Sequence, residues 1–85
     1  MQRNHPMTRV TFEIRLVNGD YVWGCITAQS RSYAESYMMA ELSSAGRVRL
    51  FERQEPHDSF VVYAPIVMHR IVDVEQFYPE EEDNE

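Results

Sequence analysis

The segment Val10–Thr27, VTFEIRLVNGDYVWGCIT, decides the fold of this chain. Val10, Phe12, Ile14 and Leu16 alternate with Thr11, Glu13 and Arg15, the period-two pattern of a strand with one apolar face. Tyr21-Val22-Trp23-Gly24-Cys25-Ile26 is again rich in aromatic and β-branched residues. Between the runs, Asn18-Gly19 supplies the positive φ angles that tight turns demand. The segment is therefore expected to be a β-hairpin with one buried face.

Beyond Thr27 the alternation stops at Ala28-Gln29-Ser30-Arg31, and Ser32-Tyr33-Ala34-Glu35 has capping-box spacing, with Ser32 as N-cap. A helix from Tyr33 to about Ser44 follows, with Ala34, Tyr37, Met38 and Leu42 on one stripe and Gly46 suited to the left-handed closing position. Arg47 to Arg53 alternates as a strand, Gln54 to Asp58 reads as a loop, and Ser59 to Ala64 as the strand's hairpin partner. Pro65 interrupts, so a last strand, Ile66 to about Val74, starts at an edge or after a bend. The order β-β-α-β-β-β predicts an α+β domain. Its sheet is mainly antiparallel, or a half-closed barrel, with one helix covering a face.

Three stretches organise the chain. Residues 1–7 are polar and contain a proline, and are expected to be a disordered leader. Residues 8–78 form the single domain. Residues 79–85 are expected to be a disordered acidic tail. A domain of that size buries only about 60–65% of its unfolded surface, and Cys25 is the only cysteine, so no disulfide can help. Self-association is one expected remedy.

The net charge is −6, but Glu80, Glu81, Glu82, Asp83 and Glu85 hold five of the fourteen acids. The remaining nine face eight basic residues, all arginine, leaving that part near −1. Such a tail is ordinarily a solvated solubiliser; the alternative is contact with a basic partner or with a basic surface of its own domain. No run approaches the roughly 20 apolar residues of a membrane span, and no apolar stretch follows the first charges as in a secretory signal. With a lone cysteine, the expectation is a cytoplasmic protein.

Candidate chemistry is sparse. Cys25 lies mid-strand with no neighbouring cation to lower its pKa and reads as a buried structural residue. His5, His57 and His69 have no metal-ligand spacing. Asp73 and Glu75 share a strand face and Glu52 and Glu55 flank a loop, but neither pair has a cleft built around it. The three glycines do not make a phosphate loop. No catalytic residue, metal or other cofactor is expected, and the chain is read as no enzyme.

Two surfaces remain. Tyr21, Trp23, Tyr33 and Tyr37 are residue types that carry interface energy, which points to a small protein-binding module acting as a regulator or inhibitor. The expected hairpin register leaves Tyr21 and Trp23 outward. Alternatively, Arg47, Arg49, Phe51 and Arg53 share one strand face opposite Val48 and Leu50, and such a stripe could track a phosphate backbone and stack a base. A further alternative is an acidic mimic of nucleic acid.

Phe12, Ile14, Leu16-Val17-Asn18-Gly19, Val22, Gly24 and Ile26 together resemble the first motif of the Sm-like (Sm and Hfq) family. That resemblance covers the first hairpin only and implies a small bent barrel that assembles into rings and often binds RNA. It implies that Phe12, Ile14 and Leu16 face the core with Val22, Gly24 and Ile26; a two-residue loop would instead place Tyr21, Trp23 and Cys25 beside them. The family's second motif has no counterpart, since Val62-Tyr63-Ala64-Pro65 lacks its basic residue. No family binding residue is carried over.

Overall fold

The computed structural model describes residues 5–52 and 58–78. Strands β1 (Met7–Leu16) and β2 (Tyr21–Ala28) are followed by helix α1 (Arg31–Ser44). Strands β3 (Arg47–Phe51), β4 (Ser59–Tyr63) and β5 (Ile66–Phe77) complete the chain. All five strands join one antiparallel sheet in the order β4-β3-β2-β1-β5, so the domain is α+β as its pattern predicts.

The first hairpin closes with a three-residue loop. Gly19 N–H donates to the Leu16 carbonyl (2.9 Å), Leu16 N–H donates to the Asp20 carbonyl (2.8 Å), and Gly19 holds φ +96°. This is a type I turn followed by a left-handed residue, which L side chains resist. Asn18 Oδ1 accepts from the Asp20 amide at 2.9 Å and pins the turn. The loop length sets the register: Ile14 faces Val22, Phe12 faces Gly24 and Val10 faces Ile26. Tyr21, Trp23 and Cys25 consequently stand on the opposite, outer face with Arg15, Glu13 and Thr11.

On the inner face Val10, Phe12 and Ile14 are fully buried against Ala34, Met38 and Leu42 of α1 and against Val48, Leu50 and Val62. Each such side chain contributes about 1.5–3 kcal/mol when removed from water. Tyr37, expected on the buried stripe, is exposed instead, because the three positions 34, 38 and 42 suffice to face the sheet. The helix also begins earlier than its capping-box spacing suggests. Ser30 is the N-cap, its Oγ accepting from the Tyr33 amide at 3.1 Å. Ser32 lies inside the helix, and Glu35 does not reach back; its Oε2 meets His69 Nε2 on β5 at 2.9 Å. At the other end Gly46, φ +75°, donates to the Glu41 carbonyl, closing the helix as expected.

The outer strands run differently from the expectation. β1 starts at Met7, inside the stretch assigned to a leader, and β5 continues to Phe77 rather than Val74. The two extensions explain each other: Met7, Thr8 and Arg9 pair with Phe77, Gln76 and Glu75. Register shifts between Thr11 and Phe12 and between Arg15 and Leu16 leave Val72 and Val67 of β5 without direct partners, and such bulges raise local twist. Curvature is required by connectivity. β4 and β5 are opposite edges of the sheet, yet Ala64-Pro65 alone joins them. Five flat strands would separate those edges by about 19 Å, whereas three Cα steps span at most about 11 Å. The sheet is therefore bent rather than flat, which brings the end of β4 to the start of β5. The corner is tied by the Ala64 amide donating to the Gly46 carbonyl at 2.9 Å.

Candidate functional site

The sheet has one weak seam. β2 and β3 are joined by a helix instead of a turn, and among the described residues they pair only at Cys25 and Phe51. Gly24 makes that contact possible. A Cβ there would lie 2.6 Å from Leu50 Cβ and 2.9 Å from Phe60 Cζ, so only glycine lets the β3–β4 hairpin cross so closely. Away from this point, Thr27-Ala28 of β2 and Arg47–Arg49 of β3 have no strand partner on their facing sides among the described residues. β2 is held by β1 and β3 by β4 on their other sides, so both open edges are prearranged as strand templates.

A groove of about 920 Å³ occupies the split. One helix flank lines it with Tyr33, Tyr37 and Glu41, which recur every four residues and so lie on one side of α1. Arg47, Arg49 and Phe51 line it from β3, and Arg9 and Phe77 from the β1–β5 end. Tyr33 is 57% and Tyr37 44% exposed, ample for contact with a ligand. The Arg9 guanidinium lies 4.3 Å over the Phe77 ring and its Nη1 donates to Glu75 Oε1 at 2.7 Å, which fixes that wall. Arg49 Nη1 donates to Ser59 Oγ at 3.0 Å. Among the described residues neither Arg47 nor Arg49 has a carboxylate partner.

The structure thus merges two sets of sequence candidates. Tyr33 and Tyr37, singled out for protein binding, share a groove with Arg47, Arg49 and Phe51, singled out for nucleic acid. Arg53 lies outside the described residues. Tyr21 and Trp23, 52% and 59% exposed, sit elsewhere on the outer face. Their surroundings are charged: Arg15 stacks over Tyr21 at 5.4 Å, and Glu13, opposite Trp23, accepts from Arg70 at 2.8 Å. Trp23 lines a smaller depression of about 500 Å³ with Glu52, Asp73 and Glu75, and among the described residues only Arg9 borders both hollows. The four aromatic candidates therefore do not form one surface.

Sequence reasoning missed Arg9, Phe77 and the open backbone edges. Their signal was absent locally, because it depends on β1 pairing with β5 over its whole length and on β2 failing to pair with β3. Cys25 is buried, its Sγ 3.3 Å from Thr11 Oγ1. Among the described residues no three His, Cys, Asp or Glu side chains are grouped to hold a metal, and no helix is long and apolar enough to cross a membrane. Set against protein-family models, curated proteins and solved structures, the chain matches none.

Proposed function

We propose that the chain is a non-enzymatic protein-binding module, a small regulator or inhibitor that takes an extended segment of its partner into the β2–β3 split. One observation carries this reading: among the described residues two neighbouring strands of a single sheet pair at one residue pair, with a groove lined by Tyr33, Tyr37 and Phe51 between them. Strand addition draws affinity from backbone hydrogen bonds and specificity from side-chain pockets beside them. Open edges at Thr27-Ala28 and Arg47–Arg49 offer the first, and the aromatic flank of α1 the second. Among the described residues the groove's side chains include the donors Arg9, Arg47 and Arg49, the acceptor Glu41, and Thr27, Gln29, Tyr33 and Tyr37, which can both donate and accept.

A second reading is favoured by the meeting of Arg47 and Arg49 with Tyr33, Tyr37 and Phe51, since basic grooves with aromatic platforms hold single-stranded nucleic acid. Affinity purification from native extract, with and without nuclease, separates the two. The protein-binding reading expects a partner that survives nuclease and moderate salt. Loss of all bound material on nuclease treatment, with affinity falling steeply as salt rises, would replace it with the second.

A further inference from the structure

We propose that the segment taken by the β2–β3 split is a chain end: a partner protein's free C-terminal carboxylate, carried on a short apolar terminus. The inference rests on reading the split as a segment-binding site, and it adds which part of a partner the site recognises.

Three observations support it. The first is shape. The split is shut where Cys25 pairs with Phe51, and a Cβ on Gly24 would stand 2.6 Å from Leu50 Cβ and 2.9 Å from Phe60 Cζ. No further backbone fits between the strands there. An extended chain with its side chains is about 10 Å thick, and a compact space of about 920 Å³ is about 10 Å across, so the hollow holds a single pass. An internal segment would have to leave through the shut end or double back beside itself. A chain end simply stops.

The second is the set of donors near the shut end. Counting two residues from the Cys25–Phe51 pair along each strand places Thr27 opposite Arg49. Thr27 is also the register partner of Arg9 on β1, so Arg9, Thr27 and Arg49 form one cross-strand row, and all three line the hollow. Arg9 is held by Glu75 at 2.7 Å and by the Phe77 ring, so it serves as a positively charged wall. Arg49 is steadied by its bond to Ser59 Oγ at 3.0 Å. Its guanidinium fork matches a carboxylate in bidentate fashion, and the Thr27 hydroxyl can donate to the same group. Arg47 lies on the same face of β3, towards the mouth. Among the described lining residues these three arginines stand against one carboxylate, Glu41, so the hollow favours an anion.

The third is the apolar flank. Phe51 stands at the shut end, and Tyr33 and Tyr37 line the hollow from α1. An aliphatic or aromatic side chain in the last residues of the partner would pack against them while its carboxylate meets Arg49.

The consequence is selectivity for position. A chain has one C-terminal carboxylate, so recognition is confined to a partner's last few residues and is lost when that end is extended or amidated.

The test passes a pool of synthetic octapeptides, randomised over the last four positions, across the immobilised full-length chain. The pool is made twice, once with a free C-terminal carboxylate and once amidated. The free-acid pool should be retained about tenfold more strongly, as charge-assisted hydrogen bonds imply, and the retained sequences should be enriched in apolar residues at the end. R49Q should bring the free-acid pool down to the level of the amidated one. T27V should lower its retention several-fold, and it carries the same test if melts show that R49Q does not fold. Amide shifts on adding retained free-acid peptides should fall on Thr27, Ala28, Tyr33, Tyr37 and Arg49. Equal retention of both pools, with shifts mapping to the split, would overturn the chain end while leaving a segment-binding groove intact. Retention of only those amidated peptides that carry Asp or Glu would move the anion to a side chain and likewise overturn it. No retention of either pool, or shifts gathered around Trp23, would overturn both the inference and the segment-binding reading.

Discussion

Gly24 and Gly19 are both glycine for backbone reasons, but the reasons differ and so do the expected effects of replacing them. At Gly19 a Cβ would meet open space, and the cost is conformational, because φ is +96°. Gly19→Val should lower stability by about 1–3 kcal/mol, the range for a non-glycine residue forced to positive φ. An unchanged thermal midpoint would show that the turn can be rebuilt another way. At Gly24 the backbone is ordinary and the cost is steric, with Leu50 and Phe60 standing where the new methyl group must go. Gly24→Ala should cost about 1–3 kcal/mol by overpacking, a large share of the roughly 4–10 kcal/mol expected for a domain of about 70 residues. It should also part the Cys25–Phe51 pair. The check is a thermal melt together with hydrogen exchange of the β2 and β3 amides. Gly24→Ala with native stability and unchanged exchange would mean that β3 does not cross β2 at this point.

At the scale of elements, the parts that were legible in sequence are those set by local chemistry. The Asn18-Gly19 turn, the alternation of β1 and β2, the Gly46 helix end and the arginine face of β3 opposite Val48 and Leu50 all follow from residues within a few positions of one another. The parts that were not legible depend on distant partners. β5 runs on to Phe77 because Met7 to Arg9 are there to pair with it, across about the whole chain. The helix start was displaced because two serines two residues apart can each cap; Ser30 wins, and Glu35 is drawn away to His69. This has a direct consequence. Ser30→Ala should cost about 1 kcal/mol, as loss of an N-cap does, while Ser32→Ala should change the midpoint little. The opposite ranking in a denaturation series would restore Ser32 as the cap.

At the scale of the molecule, connectivity and function meet at the same seam. A two-residue link between opposite sheet edges forces the sheet to bend, and with the helix inserted between β2 and β3 those strands are joined at one pair among the described residues. The groove that results could not be seen from composition, since its tyrosines, arginines and Phe77 come from four separate stretches of sequence. The candidate residues were legible singly; their grouping was not. Trp23 and Tyr21 stood out by residue type but lie among charged neighbours, outside the groove. The most direct measurement of the central claim is therefore partner retention by two variants compared side by side, Tyr33→Ala with Tyr37→Ala against Trp23→Ala, with thermal melts confirming that both are folded. The split predicts that the tyrosine pair weakens retention by about 2 kcal/mol or more, as interface anchors do, and that Trp23→Ala leaves it nearly unchanged. Retention lost with Trp23→Ala and kept without Tyr33 and Tyr37 would contradict the account and move the binding surface to the outer face of the sheet.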